Sequence, residues 1–184
     1  MIRPWNILLL CTGNSARSIL AEALLNALGG GRVRAYSAGA QPAGRVSPYA
    51  LELLDAQGLM TDGLRSKSWD EFAGPAAPTM DMVLTVCDAV AGEACPVWPG
   101  QPLAAYWGVA DPAILEATDA SGEEIRHAFM QTYAALAERI LTFLSLSFEQ
   151  LDRAELEKHL VEIGRAGAAA SVPDAAEIRL VEEE

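Results

Sequence analysis

The amino-acid sequence predicts an α/β sandwich built on a parallel sheet. Three observations carry that prediction. Short apolar runs bounded by turn residues alternate with segments whose apolar residues recur at helical spacing, in the order strand, helix, strand, helix, strand, loop, helix. The first run, Trp5 to Leu10, is short and apolar, as expected of a buried strand. The chain has 184 residues, of which 51% are hydrophobic, enough for one substantial core.

Trp5 to Leu10 is the first strand, framed by Pro4 and the polar stretch after Cys11. A helix follows from about Ser18 to Leu28, because Ala21, Leu24, Leu25 and Leu28 share one face. Gly29-Gly30-Gly31 ends it. Arg32 to Ala38 alternates weakly and is the second strand. Ser47-Pro48 supplies an N-cap followed by proline at the first helical position. Leu51 and Leu54 give that helix its stripe, and Gly58 stops it. Met82 to Val86 is a third strand. The stretch from Gly92 to Pro112 is mostly loop, with a short strand near Leu103 to Tyr106. Ser121-Gly122-Glu123-Glu124 is a capping box, and its helix carries Ile125, Phe129, Leu136, Ile140 and Phe143 on one side. Asp152 to Glu155 caps a last helix with Leu156, Leu160 and Ile163 on one face and Gly164 as its stop. The division expected is a catalytic domain over residues 1–146 and an acidic helical extension over 147–184.

The formal charge is −12, which argues against a nucleic-acid backbone as partner. Half of it falls in 147–184, which holds ten acidic and four basic residues. The apolar run Ile7 to Leu10 is far short of the roughly 20 residues of a membrane span. It is also too short for a secretory leader, so a cytoplasmic location is expected. Three cysteines are too few for a disulfide scaffold and point to catalysis, redox chemistry, a metal or inert burial.

Cys11-Thr12-Gly13-Asn14-Ser15-Ala16-Arg17-Ser18 joins the first strand to the first helix. In such a turn successive N–H groups converge, and the helix N-terminus adds about half a positive charge. The result is a nest for a tetrahedral oxyanion. Gly13 and Asn14 tolerate unusual backbone angles, and Arg17 can grip two oxygens at once. The same field is expected to hold Cys11 as a nucleophilic thiolate, with a hydrogen bond from Ser18. The competing reading is a buried, inert cysteine beside a surface arginine, and placement between strand and helix weighs against it. The loop lacks the Gly-Lys-Ser/Thr ending of a nucleotide-binding phosphate loop.

Asp111-Pro112 reads either as an ordinary turn or as a proton donor to a leaving oxygen; beside an anion loop the second reading is preferred. Cys87 ends the third strand, so in a parallel sheet it faces the same edge as Cys11. Cys95 lies eight residues on, in an adjustable Gly- and Pro-rich loop. Three thiols on one rim permit relay by thiol–disulfide exchange. A zinc site is disfavoured, because His127 and His159 fall on helices far from that loop. Two structural thiols are the remaining alternative. Trp98, Tyr106 and Trp107 read as packing rather than recognition.

The loop from Cys11 to Ser18, followed by Ala21-Glu22-Ala23, resembles the low-molecular-weight protein tyrosine phosphatase superfamily. Within it, Thr85-Val86-Cys87-Asp88, Cys95-Pro96 and Trp107-Gly108-Val109-Ala110-Asp111-Pro112 resemble the thioredoxin-coupled arsenate reductases. The likeness spans roughly Asn6 to Leu144. It implies a flavodoxin-like three-layer sandwich with four parallel strands, and reduction of arsenate, with phosphate or sulfate as mimics. Cys11 would attack arsenate held by Thr12, Gly13, Asn14, Ser15, Ala16 and Arg17, and Asp111 would protonate the departing oxygen. Cys87 and then Cys95 would carry the oxidation outward as a disulfide reset by thioredoxin or a similar thiol reductant, with no bound cofactor. Some relatives hold a structural potassium ion near the loop. Asn14, Glu22 and Ser37 match such ligands, but the acidic residue expected near Ser66 to Ser68 is missing, so no metal is assigned. The alternative function is a phosphatase acting on phosphate monoesters through a phosphocysteine.

Overall fold

A computed structural model describes residues 3–87 and 97–166 of the chain. Four parallel strands form one sheet in the order β2-β1-β3-β4: β1 Trp5–Cys11, β2 Val33–Gly39, β3 Met82–Thr85 and β4 Leu103–Tyr106. The helices are α1 Arg17–Leu28, α2 Pro48–Ala56, α3 Gly122–Ser145 and α4 Arg153–Ala166. Among the described residues two 3₁₀ turns, Trp69–Phe72 and Pro112–Ala117, fall where the sequence shows no helical period. Such turns are too short to display one.

β1 is buried on both faces, and its apolar run divides between two cores. Ile7 and Leu9 face the larger one, with Leu20, Leu25, Phe129, Leu136 and Phe143 from α1 and α3. Leu8 and Leu10 face a smaller one, with Val83, Phe72 and Met80. The second face is thus covered by the Trp69–Phe72 turn and the chain leading to β3. The order reverses between β1 and β3, which opens a crevice at the C-terminal strand ends. Cys11, the last residue of β1, stands at that switch point.

Ser47 accepts a hydrogen bond from the Tyr49 amide at the start of α2, and Ser121 and Glu124 make both bonds of the capping box of α3. Asp152 and Glu155 cap α4 reciprocally. Leu156, Leu160 and Ile163 are buried in the larger core, so α4 covers β4. Each such side chain contributes roughly 1.5–3 kcal/mol by burial. Gly164 does not stop α4, which runs on to Ala166. Its role is close approach: a Cβ there would lie 2.0 Å from the Tyr106 carbonyl oxygen. Trp107, buried beneath α4, donates from Nε1 to the Leu160 carbonyl at 2.9 Å. Among the described residues no helix is long and apolar enough to cross a membrane.

Candidate active site

The loop after β1 is shaped by a second loop outside it. The carbonyls of Cys11, Thr12, Gly13 and Ser15 accept hydrogen bonds from the amides of Ala40, Gln41, Ala43 and Ser47. A trans peptide sets each carbonyl opposite the next N–H. Turning these carbonyls outward therefore turns the amides of Thr12, Gly13, Asn14 and Ala16 inward, and the Asn14 amide donates to Cys11 Sγ at 3.1 Å. Gly39 makes this nesting possible, since a Cβ there would sit 2.5 Å from the Thr12 carbonyl oxygen. Asn14 alone in the loop takes positive φ, at 45°; Gly13 does not need its conformational freedom. No side chain caps the N-terminus of α1, so its first amides remain available to an anion.

Behind the loop lies a buried hydrogen-bond network. Asn14 Oδ1 accepts from the Lys67 amide at 2.8 Å, which fixes the orientation of its side-chain amide. Asn14 Nδ2 then donates both its hydrogens, to Ser18 Oγ at 2.8 Å and Ser37 Oγ at 2.9 Å. Ser18 Oγ lies 2.9 Å from Cys11 Sγ and keeps a proton of its own that a thiolate can accept. Burial nevertheless pushes the Cys11 thiol up from its ordinary value, and the bonds from Ser18 and Asn14 only oppose this. The nearby Cys87 adds to the rise. Cys11 is 2% exposed, so desolvation works against the donors that favour its thiolate.

Arg17 does not stand alone beside the loop. Its Nη2 donates to Asp111 Oδ2 at 2.7 Å, and its Nη1 to the Val109 carbonyl at 3.4 Å. Asp111 is both a turn residue and a site residue: its Oδ1 caps the following 3₁₀ turn by accepting from the Ala113 amide. The Trp107–Asp111 segment is pinned from α3, where Thr132 donates to the Ala110 carbonyl and Arg139 to the Gly108 carbonyl, each at 3.1 Å. Sequence reasoning passed over both. The available signal was two polar residues on the apolar stripe of α3, where each needs a buried partner.

Cys87 lies just beyond β3, on the same sheet edge as Cys11. The Val86 amide donates to the Leu10 carbonyl at 2.8 Å, and Cys87 Sγ lies 3.7 Å from Thr12 Oγ1. Cys87 is fully buried. Cys95 falls outside the described residues. Trp107 packs edge-on to Phe143, Trp98 packs edge-on to Trp69, and Tyr106 is partly exposed.

Asn14, Glu22 and Ser37 converge, and the cation among them belongs to the chain. Lys67 Nζ lies 3.1 Å from the Arg65 carbonyl, 3.5 Å from Ser37 Oγ and 3.6 Å from Glu22 Oε2. Ser37 in turn donates a short hydrogen bond to Glu22. Burial pushes Glu22 up and Lys67 down, and their mutual attraction opposes both shifts. A second positive charge about 4 Å from the ammonium would meet repulsion of about 4 kcal/mol at an effective dielectric constant of about 20. The residues present therefore do not fit a metal ion there. Among the described residues, no group of three or more His, Cys, Asp and Glu is gathered to hold a metal.

Residues 6–162 match the family described as low molecular weight phosphotyrosine protein phosphatase. The arsenate reductase of Halalkalibacterium halodurans is 34% identical over 137 residues, covering 74% of this chain and 93% of that protein. The crystal structure of arsenate reductase from Archaeoglobus fulgidus matches with a TM-score of 0.57 at 28% identity, covering 76% of this chain and 99% of that one. A thioredoxin-dependent arsenate reductase of Corynebacterium glutamicum matches with a TM-score of 0.50 at 26% identity, covering 75% of this chain and 61% of that one.

Proposed function

Since the chain belongs to the low-molecular-weight phosphotyrosine protein phosphatase family, we propose that within it this protein reduces arsenate to arsenite. The observation that carries this reading is the second sulfur. Ester hydrolysis needs a nucleophile, an arginine and an acid; Cys87, 3.7 Å from Thr12 of the anion loop, is a further thiol that hydrolysis does not use and a disulfide relay does.

Arsenate sits on the loop amides from Thr12 to Arg17, and Arg17 turns its guanidinium from Asp111 to two arsenate oxygens. The Cys11 thiol gives its proton to an oxygen of the bound dianion, and the resulting thiolate, stabilised by Ser18 and Asn14, attacks arsenic. One oxygen leaves as water, its second proton delivered through Asp111. The Cys87 thiolate then attacks Cys11 Sγ. An S–S bond forms, the S–As bond breaks, and its electron pair stays on arsenic, which leaves as arsenite. Cys95 displaces Cys11 from Cys87, and a dithiol of the thioredoxin type reduces the Cys87–Cys95 disulfide. The thioredoxin-dependent relative supports that choice of reductant. A cytoplasmic location fits the need for a reducing compartment.

The test is Cys87→Ser. Arsenate turnover should stop after the first adduct, while hydrolysis of p-nitrophenyl phosphate persists. Multiple turnovers of arsenate in that variant would refute the relay and leave the phosphatase reading in its place. Running the wild type with thioredoxin, glutathione and mycothiol systems in parallel identifies the reductant.

A further inference from the structure

We propose that the ammonium of Lys67 is a built-in cation that takes the place of a bound metal ion and holds Asn14, and through it Cys11 and Ser18, in working geometry. Lys67 is thus a positioning residue. The inference rests on Cys11 being the nucleophile, but not on arsenate being the substrate.

The placement of Lys67 is fixed from two sides. Its carbonyl accepts from the Gly39 amide at 2.9 Å, beside the bridge that pairs Ser68 with Gly39 at the end of β2. Its amide donates to Asn14 Oδ1. The neighbouring Ser66 hydroxyl donates to the Gly13 carbonyl at 3.1 Å, so this segment straps the anion loop from outside. The side chain runs inward and is 6% exposed. Its three ammonium hydrogens face three oxygens: the Arg65 carbonyl, Ser37 Oγ and Glu22 Oε2. The other charged groups nearby, Arg65 and Glu71, are paired with each other at the surface.

The charge matters because the network has a direction. With Glu22 ionised, Ser37 must donate to it, which leaves the Ser37 lone pairs for Asn14 Nδ2. Asn14 then gives its other hydrogen to Ser18, and Ser18 has its own proton left for Cys11. Without the ammonium, Glu22 and Ser37 lose the donor that spans them, and the Ser37 hydroxyl is no longer held in place. When Ser37 turns, Asn14 Nδ2 loses one of its two acceptors, and only the Lys67 amide and Ser18 still align its side chain.

The experiment compares wild type and Lys67→Ala in potassium chloride and in choline chloride at equal ionic strength. It reads thermal melting and the rate of Cys11 alkylation by iodoacetamide at neutral pH, followed by peptide mass spectrometry. Wild type should give the same melting temperature and rate in both salts. Lys67→Ala in choline should lose roughly tenfold in Cys11 alkylation rate, as for a thiol shifted by about one pH unit. Potassium, entering the space the side chain vacates, should restore most of it. A wild type that melts higher or reacts faster in potassium would overturn the proposal, since a metal would then bind beside the lysine. So would Lys67→Ala reacting at the wild-type rate in choline, or staying slow or unfolded in both salts. A wild type that meets these expectations but fails to turn over arsenate would sink the proposed substrate and leave this inference standing.

Discussion

Arg17, in the first turn of α1, and Asp111, before the Pro112–Ala117 turn, share an ion pair of 2.7 Å between residues 94 positions apart. The pair gives each side chain two successive partners. In the proposed reaction Arg17 turns from Asp111 to the oxyanion, and the freed carboxyl faces the leaving group. Asp111→Asn removes the competing charge, so inorganic phosphate should bind several-fold more tightly by calorimetry. Hydrolysis of p-nitrophenyl phosphate should fall by roughly 10²–10⁴-fold, the usual contribution of a positioned acid. Weaker phosphate binding would show instead that Asp111 is needed to aim the arginine.

Arg17→Lys keeps the charge and loses the fork. A lysine offers a point charge where two parallel N–H···O bonds are required. Arsenate and phosphate-ester turnover should both fall by at least about 10²-fold, the scale of one lost oxyanion donor. The melting temperature should change little by comparison. Equal losses in a stability assay would assign Arg17 to the fold.

Ser18→Ala should slow Cys11 at neutral pH and leave it recoverable at higher pH. Burial already holds this thiol above its ordinary value, and Ser18 is the largest opposing influence. Deleting the hydroxyl moves the midpoint of the alkylation-versus-pH curve further upward. The sign for stability follows. A folded-state value above the unfolded one contributes stability that is complete below the unfolded value, near pH 8.5, and is lost as pH rises through the folded value. Urea midpoints should therefore decline on the alkaline side, and less so in Cys11→Ser. A midpoint unmoved by Ser18→Ala would remove Ser18 from the nucleophile's environment.

Two glycines separate stability from activity. Gly164→Ala sets a methyl group 2.0 Å from the Tyr106 carbonyl oxygen, so α4 must lift from β4. Destabilisation of about 1–3 kcal/mol is expected, with kcat of the folded protein largely retained. Gly39→Ala sets the methyl 2.5 Å from the Thr12 carbonyl oxygen and 3.0 Å from the Asn14 amide nitrogen. That displaces the anion loop, and activity should fall more than stability does. Urea denaturation beside steady-state kinetics on both variants checks the contrast.

The sequence by itself determined the four strands and four long helices to within a few residues, because period and caps are local properties. It also pointed to an anion-binding loop, because a cysteine, a run of amides and an arginine stand together at a strand-to-helix turn. The two 3₁₀ turns escaped it, being shorter than any helical period, and so did the true role of Gly164, which answers to the Tyr106 backbone and not to the end of a helix. Tertiary structure alone decided what each charged group faces. The partnership of Arg17 with Asp111, the pinning of the Trp107–Asp111 segment by Thr132 and Arg139, and the lodging of the Lys67 ammonium against Glu22 join residues far apart in the chain. No periodicity records them. They exist because a buried charge must find an opposite charge or a carbonyl, and only the folded backbone determines which one lies within reach.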